Sequence, residues 1–288
     1  MSNKENSQPT ITELMERKPA AKEGGVSYFK KPEAIENAEV SADGSESKVA
    51  IKKRLLELNM LVSGSQLGPA DNDEYRRIKR PLLSNAFGKT AEMVNNGNLI
   101  LVTSSIPGEG KTHTAINLAL SIAQERDHTV LLVDCDVAKR GTSRMLGFGD
   151  KPGLADILED KFIDVGNVIL RTDISELCVI PAGKNTDFVT ELLASHKMSD
   201  LVREIGERYD DRIIIFDGPP LLPTPETQIL TSLVGQVVFV IETGKTPQSI
   251  VEEALKMIPE DQATGIVMNK SEGMSGRGGY YYGYYSSE

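Results

Sequence analysis

Residues 98–120 read NLILVTSSIPGEGKTHTAINLAL, and this stretch decides the fold. Its first part is a short aliphatic run typical of a buried strand, and the residues from Lys111 onward have the apolar spacing of a helix. A glycine-rich turn, SIPGEGKT at 105–112, joins the two. Backbone N–H groups of such a loop can surround phosphate oxygens, and the N-terminus of the following helix adds partial positive charge. The order of strand, loop and helix therefore predicts a phosphate-binding loop.

Two side chains of this loop carry predicted chemistry. Lys111 is expected to reach the β- and γ-phosphates of a nucleotide, and the hydroxyl of Thr112 to bind Mg²⁺. The usual motif, G-x-x-x-x-G-K-[ST], has glycine where this chain has Ser105. The alternative, a Gly/Pro turn with Lys111 on the surface, is disfavoured because strand, GEGKT and helix come in the required order. The residues predicted to contact the nucleotide are Pro107, Gly108, Glu109, Gly110, Lys111, Thr112 and His113.

Further aliphatic runs follow along the chain. They are HTVLLVDCD at 128–136, LCVIPAG at 177–183, DRIIIFDGPP at 211–220, GQVVFVIETG at 235–244 and TGIVMNK at 264–270, separated by helical stretches such as TPQSIVEEALKMI at 246–258. Aliphatic strands that alternate with helices indicate parallel βαβ units. Only 5% of the residues are aromatic, which suits an aliphatic α/β core. We therefore predict an α/β P-loop NTPase fold with a doubly wound, mostly parallel sheet flanked by helices.

Three aspartates stand where predicted strands end. Asp134 and Asp136 are two residues apart at the end of VLLVDCD, so they share one side of an extended segment, and Asp217 ends RIIIFD. The carboxyl ends of parallel strands face the crevice in which ligands bind. A nucleotide site needs such carboxylates to orient the water ligands of Mg²⁺. The alternative is that one or more of them merely caps a following helix or turn. It is weakest for Asp217, because GPP does not start a helix.

The composition divides the chain into four segments. Residues 1–48 are polar and charged, and we expect a disordered arm because they bury too little apolar surface. Residues 49–90 contain two helical patterns, and Pro81 is expected to end or kink the second helix. Residues 91–270 form the predicted P-loop domain. Residues 271–288, rich in Gly and Ser, form a predicted flexible tail.

Composition also argues against several classes of function. The formal net charge of −10 gives no support for a nucleic-acid partner. Cys135 and Cys178 have no His or Cys at ligand spacing, so neither a disulfide scaffold nor a zinc site is expected, and a reducing compartment fits. The sequence shows no signal-peptide pattern and no run of about 18 apolar residues. We therefore expect a soluble protein that reaches a membrane only through a partner.

Five of the eight tyrosines cluster in the tail, namely Tyr280, Tyr281, Tyr282, Tyr284 and Tyr285. Beside a nucleotide site we interpret them as phosphorylation sites; the alternatives are a sticky low-complexity tail or an aromatic plug. A phenol with a pKa of about 10 needs a carboxylate that accepts or orients its proton. Each phosphate adds about −1.5 to −2 charges, so modification is expected to be self-limiting at a site lined with aspartates.

Together the motifs resemble the bacterial tyrosine kinases, the P-loop autokinases of polysaccharide export systems. The similarity covers about residues 74–288 and rests on PGEGKT at 107–112, LLVDCD at 131–136, IIIFDGPP at 213–220 and the tyrosine cluster. RIKRPLLSNAF, PAG, TELLAS and GQVVFVIE resemble most the exosortase-associated tyrosine autokinases. The resemblance implies a protein-tyrosine kinase that uses ATP and Mg²⁺, modifies its own tail and regulates exopolysaccharide synthesis or export.

The resemblance also assigns roles to residues. Asp134 is implied to act on the incoming tyrosine hydroxyl, Asp136 to order the waters of the metal, and Asn269 to hold the adenine. Many members have Arg where this chain has Ala138, and Lys139 and Arg140 follow as candidate replacements. The implied catalytic residues are Lys111, Asp134, Asp136 and Asp217. The implied metal residues are Thr112, Asp136 and Asp217.

Glu74, Arg77 and Arg80 match the E-x-x-R-x-x-R helix that packs family members into rings. Their spacing alone favours a solvated helix face with i,i+3 pairs. The resemblance implies instead a ring-like homo-oligomer in which phosphate is transferred between subunits. It further implies a separate membrane chain-length co-polymerase as activator, a tyrosine phosphatase, and a cytoplasmic location at the inner face of the cell membrane through a partner.

Two other functions compete with this interpretation. A partition or positioning ATPase of the same P-loop class would hydrolyse ATP to control dimerisation. Such proteins have a second lysine five residues before the invariant one, where this chain has Ile106, and they lack a tyrosine-rich tail. The second alternative is a non-catalytic scaffold that binds nucleotide only as a structural ligand. Phosphotyrosine formed from ATP distinguishes a kinase from both.

Overall fold

The computed structural model describes residues 48–62, 69–88, 94–186 and 188–271. All but the last residue of the predicted arm, and all but the first residue of the predicted tail with its five tyrosines, lie outside the described residues. Within them, no helix is long and apolar enough to cross a membrane.

Seven strands form a single sheet. They are β1 (Leu99–Ser104), β2 (Thr129–Asp134), β3 (Leu170–Arg171), β4 (Leu177–Ile180), β5 (Arg212–Asp217), β6 (Gln236–Glu242) and β7 (Ala263–Asn269). Their order across the sheet is β3-β4-β2-β5-β1-β6-β7. Among the strand pairs of the described residues, only β3–β4 is antiparallel. The predicted fold class, a mostly parallel α/β sheet, is confirmed.

Helices cover both faces of the sheet. They are α1 (Lys52–Glu57), α2 (Pro69–Phe87), α3 (Lys111–Ile122), α4 (Gly141–Leu146), α5 (Leu154–Glu159), α6 (Val189–Leu193), α7 (His196–Glu207), α8 (Glu226–Leu233) and α9 (Gln248–Leu255), with a 3-10 helix at Val165–Asn167. Alternate residues of β1 enter different cores, because successive side chains of a strand point to opposite faces. Leu99 and Leu101 pack with α5 and α7–α9, whereas Ile100 and Val102 pack with α1–α4.

Pro81 lies inside α2, which continues to Phe87. The proline therefore does not end the helix, and the alternative, that it kinks the helix, stays a prediction. A proline in a helix interior costs about 3 kcal/mol locally, because one hydrogen bond is lost and the ring crowds the preceding turn. Contacts on both sides of it hold the helix together. The buried Lys79 ammonium donates to the carbonyl oxygen of Ser121 at 2.6 Å, and Gln236 Nε2 donates to the carbonyl oxygen of Leu82 at 3.0 Å.

No sequence pattern predicted β3. This strand is only two residues long, Leu170 and Arg171, and is too short to show a period. It exists because Leu170 pairs with Val179 of β4, a contact between segments that are separate along the chain.

The candidate nucleotide site

The phosphate loop connects β1 to α3, as predicted, and two of its glycines have left-handed backbone angles. φ is +97° at Gly108 and +98° at Gly110, a region in which side chains are strained. Gly110 is also confined, because a Cβ atom there would lie 2.0 Å from Nδ2 of Asn269. Ser105, where the usual motif has glycine, is fully buried beneath the loop.

Glu109 fastens the loop from within. Its side chain is buried, and Oε2 accepts a hydrogen bond from the backbone N–H of Ile106 at 2.8 Å. Oε1 accepts from the hydroxyl of Thr246 at 2.6 Å and from the backbone N–H of Glu242 at 3.4 Å. The carboxylate thus ties the loop to the end of β6 and the turn that follows. Glu109 was predicted only as a nucleotide contact, so the tying function of its side chain is new from the structure.

Lys111 and the carboxylates converge. The ammonium of Lys111 lies 2.8 Å from Oδ2 of Asp136 and 3.9 Å from Oδ1 of Asp217, and the side chains of all three are buried. The hydroxyl of Thr112 donates to Oδ1 of Asp217 at 3.2 Å. Burial alone would lower the pKa of Lys111, but the charges of Asp217 and Asp136 outweigh it, so the pKa of Lys111 is raised. The amine is therefore held as a cation beside the phosphate loop.

Asp134 lies beside this cluster, because its Cα pairs with that of Asp217 across the adjacent strands β2 and β5. Oδ2 of Asp134 accepts from both the backbone N–H and the hydroxyl of Ser143, each at 2.7 Å. Oδ1 is buried and has no hydrogen-bond partner among the described residues. Burial, with the nearby charge of Asp217, raises the pKa of Asp134 to about 7, although the hydrogen bonds from Ser143 oppose the shift.

Asp134 and Asp136 also accept hydrogen bonds from the turns that follow them, which was the alternative role that the sequence left open for the aspartates. Asp134 accepts from the first turn of α4, and Oδ1 of Asp136 accepts from the backbone N–H of Lys139 at 3.1 Å. Asp136 lies two residues beyond the end of β2 and reaches Lys111 from the following turn. The same carboxylates therefore shape the local turn and face the loop.

Two residues of α4 that the sequence analysis missed hold the aspartates in place. The hydroxyl of Thr142 donates to Oδ2 of Asp217 at 2.8 Å, and Ser143 binds Asp134 as described. The hydroxyl of Ser143 also accepts from the backbone N–H of Ala182 at 2.8 Å. Nothing in their sequence context separates these two residues from other serines and threonines, so no local signal could have found them.

The end of β7 closes the other side of the loop. Nδ2 of Asn269 donates to the carbonyl oxygen of Glu109 at 2.8 Å. Lys270, which was not predicted, donates to the carbonyl oxygen of Gly108 at 2.7 Å and pairs with Glu242 at 3.2 Å. Asn269 is thus beside the loop, as its predicted adenine-binding role requires, and that role stays a prediction.

The remaining predicted residues lie around this centre. Pro107 and Gly108 are exposed at the tip of the loop, and His113 is on the first turn of α3 with its ring beside Nδ2 of Asn117. The guanidinium of Arg140, a candidate replacement for the missing basic residue, donates to the carbonyl oxygen of Gly149. Glu74, Arg77 and Arg80 are exposed on α2.

Comparisons with known proteins agree with this geometry. A family described as an AAA domain matches residues 97–264, more than half of the chain. The tyrosine-protein kinase Wzc of Salmonella typhimurium is 31% identical over 200 residues, which cover 69% of this chain but 27% of Wzc. The chain thus spans about a quarter of that relative. The tyrosine-protein kinase CpsD of Streptococcus agalactiae is 30% identical over 190 residues, covering 65% of this chain and 81% of CpsD.

A solved structure shows the same arrangement of the chain. The VpsO kinase domain is 27% identical and superposes with a TM-score of 0.56, covering 71% of this chain and 100% of that domain. The phosphate loop, the converging aspartates, the AAA-domain match and these relatives all lead to one assignment. The chain belongs to the AAA-domain family of P-loop proteins and, within it, to the bacterial tyrosine-protein kinases.

Proposed function

We propose that this chain transfers the γ-phosphate of ATP to tyrosine hydroxyls, including those of its own C-terminal cluster, and thereby regulates exopolysaccharide synthesis or export. The observation that carries the proposal is the convergence of Lys111 with Asp136 and Asp217 beside a phosphate loop. The kinase names of Wzc and CpsD support the type of reaction. The tyrosine cluster at 280–285 supplies hydroxyl groups on the same polypeptide.

The donor atoms of the site fit a magnesium ion. Mg²⁺ prefers oxygen ligands, and Oγ1 of Thr112 lies 3.2 Å from Oδ1 of Asp217, while the Lys111 ammonium joins Asp217 to Asp136. We propose that Thr112, Asp136 and Asp217 hold the ion or order its waters. When bound, the ion neutralises charge on the transferring phosphoryl group.

The loop and Lys111 would bind the phosphates of ATP. The backbone N–H groups of the loop and the N-terminus of α3 favour phosphate oxygens, and the ammonium of Lys111 favours the charge that develops on the γ-phosphoryl group. We further propose that Asn269, at the end of β7, contacts the adenine. These residues position the nucleotide so that its γ-phosphate faces the crevice at the ends of β2 and β5.

Asp134 is the proposed acceptor of the tyrosine proton. A phenol has a pKa of about 10, so its proton moves to an ordinary aspartate only at a large cost. Because burial raises the pKa of Asp134 to about 7, this cost falls. Asp134 is fully buried, so the hydroxyl must enter the crevice between the loop and α4 to meet it.

The test is an anti-phosphotyrosine assay after incubation with Mg·ATP. Three proteins are compared with the unchanged chain: Lys111→Ala, a truncation before Tyr280, and the exposed control Lys256→Ala, which makes the same change in charge. We expect Lys111→Ala to lose phosphotyrosine at least about 100-fold, the truncation to lose nearly all of it, and the control to match the unchanged chain. ATP consumption without phosphotyrosine would support the partition-type ATPase, and nucleotide binding without turnover would support a scaffold.

We also propose that α2 joins subunits into a ring through Glu74, Arg77 and Arg80. All three are exposed and follow one another at three-residue intervals on one helix. In the Arg77→Ala/Arg80→Ala double variant we expect loss of association in sedimentation velocity. Arg76→Ala is the matched control, because Arg76 lies on the same helix and pairs with Asp73 of its own chain at 3.0 Å. Unchanged sedimentation of the double variant would refute the ring role.

The expected partners follow from the same function. We propose a membrane chain-length co-polymerase that activates the kinase at the inner face of the cell membrane, and a tyrosine phosphatase that removes the phosphates. Co-purification with a membrane fraction that contains the co-polymerase, and its loss when the co-polymerase is deleted, would support this location. We also propose that the chain is a member of the exosortase-associated tyrosine autokinases, the subfamily that its sequence resembles most.

A further inference from the structure

Residues 48–62, which include α1, form a strap across one face of the protein. At one end of this strap, Oδ1 of Asp173 accepts a hydrogen bond from the backbone N–H of Ile51 at 2.8 Å. At the other end, Oδ1 of the buried Asn117 accepts from the backbone N–H of Leu61 at 2.8 Å. The strap is thus fastened to the turn after β3 and to α3. Its fully buried side chains join the core on this face of the sheet: Ile51, Leu55 and Met60.

From the middle of the strap, the side chain of Arg54 reaches the C-terminal end of α4. Its Nη2 donates to the carbonyl oxygen of Arg144 at 2.8 Å, and its Nε donates to the carbonyl oxygen of Met145. Carbonyl oxygens in the last turn of a helix lack the full set of partners that the helix interior provides, and the helix dipole favours a cation beside them. Arg54 therefore holds the last turn of α4 in place.

The first turn of the same helix holds the two carboxylates with proposed catalytic roles. The hydroxyl of Thr142 donates to Oδ2 of Asp217 at 2.8 Å, and the hydroxyl of Ser143 donates to Oδ2 of Asp134 at 2.7 Å. Because α4 has only six residues, it is about 9 Å long and its two ends move together. A displacement of the last turn is therefore passed to both hydroxyl groups.

α4 also lies directly against α3, the helix that begins with Lys111 and Thr112. A Cβ atom at Gly141 would lie 2.9 Å from Oγ1 of Thr112, so the first residue of α4 is in close contact with that side chain. The strap binds α3 through Asn117 and α4 through Arg54. It therefore fixes the relative position of the two helices whose first turns surround the site.

We propose that Arg54 is a positioning residue for phosphoryl transfer, which acts through α4 on the carboxylates of Asp134 and Asp217. Its guanidinium binds the far end of α4, so its effect reaches the reaction through Thr142 and Ser143. Groups that accept a proton or organise a metal ion must be held within about 0.5 Å of the productive geometry. The proposal rests on the proposed kinase function, because that function gives the two carboxylates their roles.

The effect is expected on turnover rather than on nucleotide binding. Glu109 and Asn269 tie the phosphate loop to the turn after β6 and to the end of β7, and these contacts do not involve the strap. In Arg54→Ala we expect kcat for tyrosine phosphorylation to fall about tenfold, with the Kd for Mg·ADP within about threefold. Arg54→Lys keeps the charge but lacks the planar fork that binds two carbonyl oxygens, so it should recover only part of kcat.

The test measures initial rates of phosphotyrosine formation by the whole chain at saturating Mg·ATP, together with calorimetry of Mg·ADP. Lys53→Ala is the matched control, because Lys53 is exposed on the same helix and its removal makes the same change in charge. The double variant Arg54→Ala/Ser143→Ala completes a mutant cycle. If Arg54 acts through α4, its loss matters little once the Ser143 hydroxyl is gone, so kcat of the double variant should lie within about threefold of that of Ser143→Ala.

Three results would overturn the proposal. They are a kcat of Arg54→Ala equal to that of Lys53→Ala, a rise in Kd as large as the fall in kcat, and effects of Arg54→Ala and Ser143→Ala that multiply in the double variant.

Hydrogen–deuterium exchange of residues 141–147 tests the contact without any kinase activity. We expect exchange there to be at least about tenfold faster in Arg54→Ala than in Lys53→Ala or the unchanged chain. Equal exchange would overturn the inference even in an active kinase. Absence of phosphotyrosine from the unchanged chain would instead refute the proposed function, so the two failures are distinguishable.

Discussion

Glu109 offers a test of how the phosphate loop is held, because its side chain contacts the protein rather than the solvent. In Glu109→Ala the backbone N–H of Ile106 and the hydroxyl of Thr246 lose the acceptor that they share. The loop then depends on Asn269 and Lys270, which bind the backbone carbonyl oxygens of residues 109 and 108. We expect the N–H groups that surround the phosphates to lose their fixed orientation.

The magnitude follows from the two short contacts, at 2.8 and 2.6 Å. A hydrogen bond to a charged group contributes about 1.5 to 3 kcal/mol, so the loss of both predicts a fall of about 3 to 6 kcal/mol in the free energy of unfolding. In the variant, the loop is no longer ordered before nucleotide binds, so binding itself must supply the free energy of ordering it. We expect this cost to raise the Kd for ADP about 10- to 100-fold, which is about 1.4 to 2.8 kcal/mol.

The assay combines urea denaturation with isothermal titration of Mg·ADP. Glu109→Gln keeps the shape but loses the charge, so its effects should be about half as large. Thr246→Val removes one partner and should change stability by about 1 kcal/mol. Glu253→Ala, at an exposed position of α9, is the control for the change in charge. Nucleotide affinity of Glu109→Ala equal to that of the unchanged chain would refute the reasoning.

Three further predictions concern two contacts of the site and one contact of α2. Ser143→Ala removes the hydroxyl that donates to Asp134, the proposed proton acceptor, and leaves it only the backbone N–H of residue 143. We expect kcat to fall about 10- to 100-fold with nucleotide affinity within threefold; an unchanged kcat would contradict it. In Gly110→Ala the added Cβ atom clashes with Nδ2 of Asn269, and the left-handed φ is strained for alanine. We expect nucleotide binding to disappear in calorimetry, and an unchanged Kd would argue against the confined loop. Glu125→Gln removes the carboxylate that pairs with the buried Lys79 ammonium at 2.7 Å. We expect the free energy of unfolding to fall by about 0.5 to 1 kcal/mol, and the same substitution to have a smaller effect in a Lys79→Met background. Hydrogen bonding to Lys79 lowers the pKa of Glu125 below its ordinary 4.5. The stability that the pair contributes is therefore present at neutral pH and is lost as pH falls below 4.5 and through the lowered pKa. In urea titrations, the same loss of stability at pH 7 and pH 3 would contradict the pairing.

Much of the site was predictable because its main residues are marked locally. GEGKT follows one aliphatic strand and VDCD and IIIFDG end two others, so parallel pairing alone brings Lys111, Asp134 and Asp217 to the same edge of the sheet. The predicted aliphatic runs became β1, β2, β4, β5, β6 and β7. Pattern and order were sufficient here because β1, β2, β5 and β6 are almost entirely buried on both faces and show it in their own residues, whereas β7 at the sheet edge is largely exposed.

The errors and omissions have a common cause. Pro81 is tolerated in α2 because Lys79 and Leu82 are held by residues of other elements, and local propensity does not include such contacts. Thr142 and Ser143 look like any other hydroxyl residues until α4 packs beside the aspartates. No residue pattern within a short window distinguishes these cases.

By itself, the sequence determined the fold class, the phosphate loop and the three aspartates, because a strand, a glycine turn and a helix each leave a periodic or compositional mark within a few neighbours. Only the tertiary structure decided that Glu109 ties the loop to Thr246 and that Lys270 binds the loop at the carbonyl oxygen of Gly108. Such contacts link residues more than a hundred positions apart along the chain. A hydrogen bond or a cluster of charges depends on distance in space, and that distance is set only when the whole sheet has formed.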